Sequence, residues 1–164
     1  MSESQGQPIE PLLPHQLGFG SLFDTMTDAI VVAEASQGVI LLLNPAAERI
    51  FGYSSDEVIG QPLEALMPER MREMHHAGLS RYARTSHGPY IDSHAPVELP
   101  GMKKDGTEIA IELTLSSIER LPGQYVLAVI RDITVRIQEE EELRQSHSRL
   151  QSQLHAERTR NQDS

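Results

Sequence analysis

The chain has 164 residues, 38% of them hydrophobic and 23% charged, a composition typical of one soluble globular domain with appendages. A formal net charge of −10 disfavours binding to nucleic-acid phosphates, the lack of cysteine excludes disulfides and thiolate chemistry, and no apolar run approaches the roughly 18 residues of a membrane span. We therefore expect a cytoplasmic protein that binds neither nucleic acid nor membrane.

The first predicted elements are a β-hairpin and a helix. Two apolar runs between Ala29 and Leu43 flank Gln37 and Gly38, a pattern that indicates two strands around a turn. Asn44 and Pro45 then predict the start of a helix, because asparagine caps free N–H groups and proline has none to satisfy.

The next predicted elements are three helical segments. Ser54 and Glu57 have the spacing of a capping box and open a short helix. A second short piece covers Leu63–Met67, and a longer helix runs from Pro68 to about Arg84. Several of its residues share helical spacing and predict an apolar stripe: Met67, Met71, Met74, His75, Gly78, Leu79 and Tyr82.

The C-terminal half of the predicted domain contains three strands. Residues 85–95 are predicted to form a loop, and strands follow over residues 96–102, 107–116 and 125–130. Lys103-Lys104-Asp105-Gly106 predicts a hairpin turn. Alternation places four aliphatic side chains on one side of the middle strand: Ile109, Ile111, Leu113 and Leu115.

Four motifs occur together along the chain: Leu43-Asn44-Pro45-Ala46-Ala47-Glu48-Arg49-Ile50-Phe51-Gly52-Tyr53-Ser54, Glu57-Val58-Ile59-Gly60, Lys104-Asp105-Gly106-Thr107 and Arg131-Asp132-Ile133-Thr134. In this order and spacing they resemble the PAS domain family over about residues 19–136. The resemblance implies an α+β fold, in which a five-stranded antiparallel sheet carries short helices over one face and encloses a ligand pocket. The predicted organisation is a flexible arm over residues 1–17, the PAS domain over 18–134 and a C-terminal amphipathic, coiled-coil helix with a frayed tail over 135–164.

The helix around His75 resembles the proximal helix of FixL-type haem oxygen sensors. The resemblance implies that His75 binds the iron of haem b and that Arg81 pairs with a haem propionate. Apolar side chains would complete the cofactor site: Met71, Leu79, Tyr82, Ile111, Leu113 and Leu115. The chain departs from these sensors because no arginine lies between Arg84 and Arg120, where they carry the arginine that acts on bound oxygen. Oxygen is therefore not implied as the sensed gas.

Other readings of the pocket stay open. A dry void of roughly 500 Å³ would cost about 12 kcal/mol at about 24 cal/mol per Å³, which is comparable to the whole stability of a domain. The pocket must therefore be occupied or filled by side chains. A cofactor-free dimerisation and interaction module, or a sensor of a colourless metabolite, is the main alternative. A flavin adduct would need a cysteine, and the scattered histidines lack a recognised zinc-ligand spacing.

The segment after the last strand is predicted to transmit the signal. In the family, the position of Asp132, Ile133 and Thr134 joins the last strand to an output helix. Apolar residues in that helix occupy four of seven heptad core positions and predict a weak coiled-coil seam: Ile133, Leu143, Leu150 and Leu154. We expect a homodimer, or a heterodimer with another PAS protein, that acts on a separate signalling effector. We find no catalytic motif and expect no enzymatic activity.

Overall fold

A computed structural model describes residues 13, 15, 20–118 and 122–162. Its strands are β1 (Ala29–Glu34), β2 (Val39–Leu43), β3 (Val97–Met102), β4 (Glu108–Ile118) and β5 (Tyr125–Asp132). Its α-helices are α1 (Gly20–Thr25), α2 (Pro45–Phe51), α3 (Ser55–Val58), α4 (Glu69–Thr85), α5 (Pro89–Ser93) and α6 (Thr134–Gln162), and a 3-10 helix covers Leu63–Leu66. The predicted arm over residues 1–17 lies outside the described residues, apart from residues 13 and 15.

The five strands form one antiparallel sheet, as predicted, and the structure shows that their order is β2-β1-β5-β4-β3. Two hairpins, β1-β2 and β3-β4, supply the outer pairs. Their turns contain Gly38 at φ 68° and Gly106 at φ 86°, a left-handed conformation that glycine adopts without a steric penalty. Strand β5 then returns between β1 and β4, which places the C-terminal end of the domain at the centre of the sheet.

Asn44 joins the sheet to the helices that follow it. Its side chain is fully buried and makes four hydrogen bonds. Its Oδ1 accepts from the backbone N–H of Ile30 at 2.8 Å and of Ala47 at 3.0 Å, and its Nδ2 donates to the carbonyls of Phe23 at 3.2 Å and Asp28 at 3.0 Å. The predicted helix cap is thus confirmed, and the same side chain also fixes the start of β1 and the end of α1.

The sheet divides the core into an inner and an outer part. The inner face carries the larger cluster, which includes Val31, Ile40, Phe51, Ile109 and Ile111. On the opposite face, α1 buries Phe23 against alternate residues of the first two strands, Ile30, Val32 and Leu42. The short helices and α4 follow the hairpin of β1 and β2 in the chain and include the residues of the candidate site.

The predicted loop over residues 85–95 is partly wrong, because it contains the five-residue helix α5. Pro89 occupies the first turn of this helix, where its missing N–H costs nothing. Ile91 is buried in a cluster with Tyr82, and this tertiary contact stabilises a helix too short to be recognised from its sequence. Strands β4 and β5 also extend two residues beyond the predicted ends.

The described chain divides into two compact units, with the boundary between Asp132 and Ile133. The second unit consists of α6, on which Val135, Leu143, Leu150 and Leu154 are exposed. Within the part of the chain that the structure describes, no helix has both the length and the apolar character needed to cross a bilayer.

Candidate functional site

Helix α4 carries five of the eight residues predicted to contact a cofactor, and the other three lie on β4. Met71, His75, Leu79 and Tyr82 lie within an arc of roughly 80° at 100° per residue, and all four are at least half-buried. The predicted stripe is wider than the observed one. Met74 is 69% exposed, since it lies roughly 100° around the helix from His75, and Gly78 is exposed as well. Met67 precedes the helix and is not part of it.

The imidazole of His75 is held by a carboxylate. Its Nδ1 lies 3.1 Å from Oε1 of Glu64, and the two side chains are 31% and 18% exposed. Glu64 belongs to the 3-10 helix, and the buried Pro68 stands between the two elements and lets the chain turn into α4. The other ring nitrogen, Nε2, has no hydrogen-bond partner among the residues that the structure describes.

The C-terminal half of α4 packs directly on the sheet. Tyr82 is 5% exposed and lies in a cluster with Ala35, Ile91 and Val126, against which Leu79 and Leu115 also pack. The approach is close, because a Cβ built on Gly38 would lie 3.1 Å from Cδ2 of Leu79. Two of the predicted cofactor contacts, Leu79 and Tyr82, are therefore already engaged with neighbouring side chains.

The aliphatic side chains predicted to share one side of β4 form an apolar wall that belongs to the core. Ile111 is buried, and Leu113 and Leu115 are half-buried and pack against the inner cluster. Leu115 contacts both the inner cluster and the cluster around Tyr82, so it links the wall to α4. These residues thus share a face of the sheet.

Arg81 does not lie on the face of α4 that carries His75. It is exposed, it lies roughly 120° around the helix from His75, and its guanidinium makes no ion pair within the described part of the chain. Arg70 instead makes a bidentate bridge to Glu108 at the start of β4, with N–O distances of 2.5 and 2.8 Å. This bridge raises the pKa of Arg70, lowers that of Glu108 and ties the first turn of α4 to the sheet.

A second ion pair ties helix α3 to the turn between β3 and β4. Lys104 donates to Glu57, and the backbone N–H of Ser54 also donates to that carboxylate at 2.9 Å. These bonds lower the pKa of Glu57 from its ordinary 4.5 to about 2. The predicted pairing of Ser54 with Glu57 is therefore present, with a third partner that only the folded chain supplies.

The predicted relay residues follow one another at the end of the sheet. Asp132 is the last residue of β5, and α6 begins at Thr134. Just before them, Arg131 makes a bidentate ion pair with Asp28, with Nε and Nη2 at 3.1 and 2.8 Å from the two carboxylate oxygens. The end of the last strand is thus fixed to the residue that precedes β1.

Sequence reasoning did not find Glu64, Arg70 or Glu108. Each of these side chains pairs with a residue at least eleven positions away, beyond the reach of helical or strand periodicity. Glu64 lies just before Pro68 and the helix that follows it, and no local sequence pattern there identifies the residue with which Glu64 pairs. Among the described residues, no group of three or more His, Cys, Asp or Glu side chains is arranged to hold a metal ion.

Comparisons with known sequences agree on one family. A family model described as the PAS fold matches residues 19–133. The sensor protein FixL of Bradyrhizobium diazoefficiens is 35% identical over 130 residues, which cover 79% of this chain and 25% of that protein. The oxygen sensor protein DosP of Escherichia coli is 32% identical over 127 residues, which cover 77% of this chain and 15% of that protein. The chain thus spans a quarter or less of the length of these relatives.

Solved structures show the same fold. The PAS domain of a protein from Colwellia psychrerythraea is 30% identical, with a TM-score of 0.56, and the match covers 68% of this chain and 91% of that one. The PAS domain of an HTR-like protein from Haloarcula marismortui is 25% identical, with a TM-score of 0.57, and the match covers 73% and 90%.

Proposed function

The chain belongs to the PAS family, and we propose that it is a sensory module in which the occupancy of the pocket changes the geometry or pairing of α6 and thereby a partner protein. Two sensor proteins among its relatives support this role. The route we propose runs from the sheet through Asp132, Ile133 and Thr134 into the helix. The Arg131–Asp28 ion pair supports this route, because a shift of β5 would also displace the residue that precedes β1.

The leading ligand candidate is haem b, bound through His75. The observation that carries it is the ring nitrogen Nε2, which has no partner among the described residues while Nδ1 is fixed by a carboxylate. A neutral imidazole with one free nitrogen is a suitable axial ligand for haem iron. Met71, Leu79, Tyr82, Ile111, Leu113 and Leu115 would contact the macrocycle, and Arg81 would reach a propionate. When bound, the haem would supply an iron centre that responds to a gas or to redox state.

The fit is incomplete in one respect. Leu79 and Tyr82 already pack against the sheet and α5, so α4 would have to move outward along its C-terminal half to admit a macrocycle there. This packing favours a second candidate, a cofactor-free interaction module or a sensor of a small colourless metabolite. In that case the Glu64–His75 hydrogen bond would serve only to hold α4 against the 3-10 helix.

The absorption spectrum of the purified protein separates the two candidates. We expect a Soret band after haem addition and desalting, and we expect His75→Ala to abolish it while the far-UV circular dichroism stays unchanged. The matched control is His76→Ala, which removes the exposed neighbouring imidazole. A His75→Ala protein with full haem content would refute haem ligation by His75. A wild-type protein that haem does not alter would favour the cofactor-free module.

The output helix has its own test. Leu143, Leu150 and Leu154 lie within an arc of roughly 40° on α6 and are exposed, so they form a seam for a second PAS chain. We propose a homodimer or a PAS heterodimer that engages a separate effector, and we expect Leu143→Glu with Leu150→Glu to reduce the mass measured by light scattering to that of one chain. The double variant Ser148→Glu with Ser152→Glu adds the same charge away from the seam. An unchanged mass in the leucine variant would contradict the seam.

A further inference from the structure

Glu64 and His75 form a more sheltered pair than the two ion pairs of α3 and α4. The side chain of Glu64 is 18% exposed, whereas those of Glu57 and Glu108 in these ion pairs are 44% and 43% exposed. The pair joins two different elements, the 3-10 helix and the second turn of α4, across a buried proline. A side chain held in this way has a defined ring orientation.

The chemistry of the carboxylate decides which ring nitrogen carries the proton. An ionised carboxylate only accepts hydrogen bonds, so Nδ1 must carry the hydrogen that lies between the two groups. In the neutral imidazole, Nε2 is then left with a lone pair. That nitrogen has no partner among the residues that the structure describes.

We infer that Glu64 is the positioning residue of His75, which holds the imidazole in the Nδ1–H tautomer and presents Nε2 to an incoming metal centre. The inference deepens the proposed function, because the ligand it serves is the haem iron proposed above. A carboxylate on the distant ring nitrogen fixes ring orientation and raises the basicity of the coordinating one. Loss of such a partner typically lowers metal affinity about 10- to 100-fold.

The first test uses the cofactor-free full chain. Nitrogen-15 NMR of the imidazole distinguishes the two tautomers, and we expect His75 to be Nδ1–H in the wild type and to shift towards Nε2–H in Glu64→Ala. Glu64→Gln keeps a carbonyl oxygen as acceptor and should retain the Nδ1–H form. This second variant keeps the test usable if the alanine variant does not fold. Glu73→Ala, an exposed acid on the same helix, is the matched control and should change nothing. An Nε2–H signal in the wild type would overturn the inference.

The second test measures haem binding by the same variants. We expect Glu64→Ala to bind haem about 10- to 100-fold more weakly and to raise the reduction potential of the bound iron, because a less basic imidazole stabilises the ferric state less. Glu64→Gln should fall between alanine and wild type. Equal affinity in Glu64→Ala and wild type would overturn the positioning role while haem binding itself stands. An Nδ1–H wild type that takes up no haem would refute haem binding and support the role of Glu64 in setting the tautomer.

Discussion

Replacement of Asn44 tests whether one buried side chain holds three elements together, α1, β1 and α2. Asn44→Ala would leave the N–H groups of Ile30 and Ala47 buried without acceptors, at about 1–3 kcal/mol each. The expected loss is therefore about 2–6 kcal/mol, a large part of the roughly 5–15 kcal/mol that stabilises a domain.

Asn44→Asp separates this role from simple helix capping. Aspartate caps helices about as well as asparagine, so a residue that only capped α2 would tolerate the change. Here the new carboxylate oxygen would face the carbonyls of Phe23 and Asp28, two donated bonds would be lost and a buried charge would be added. We expect a loss of at least about 2 kcal/mol from the two bonds and the charge together.

The assay must report on the sheet rather than on α6, which forms a separate unit. Amide hydrogen exchange of β1 and β5 gives the free energy of opening of the domain itself. Ser54→Ala, at the exposed cap of α3, is the control and should cost about 1 kcal/mol. An Asn44→Asp protein within about 0.5 kcal/mol of wild type would refute the four-bond argument.

Two further predictions concern glycines and acid. Gly78→Ala should raise the midpoint of thermal unfolding, because a Cβ there meets nothing within 4 Å and alanine favours a helix by about 1 kcal/mol. Gly38→Ala should lower it, since φ is +68° and the Cβ would lie 3.1 Å from a leucine of α4; two equal shifts would contradict this packing. Glu57 has a pKa of about 2 in the folded protein against 4.5 ordinarily, so its ion pair with Lys104 stabilises the fold above pH 4.5 and loses that effect as the pH falls towards 2. The midpoint of thermal unfolding should depend less on pH in Glu57→Gln than in the wild type over this interval. In Asp56→Asn it should follow the wild type.

The features predictable from the sequence depend on neighbours within a few residues. The start of α2 at Asn44 and Pro45 and the pairing of Ser54 with Glu57 follow from capping chemistry, which needs only local spacing. The common face of His75 and Tyr82 follows from helical periodicity in the same way. Met74 shows the limit of that periodicity, because a residue at the edge of a stripe is buried only if a neighbouring element covers it.

The strands, the principal helices and the PAS family could be predicted from the amino-acid sequence, because alternation, capping and the order of motifs are properties of the chain before it folds. Three features depend on tertiary packing: β5 lies between β1 and β4, α5 forms against Tyr82, and Glu64 pairs with His75. These contacts join residues whose separation along the chain carries no periodic pattern. Their partners are selected by the burial of apolar faces and the pairing of buried polar groups, which exist only once the elements have packed.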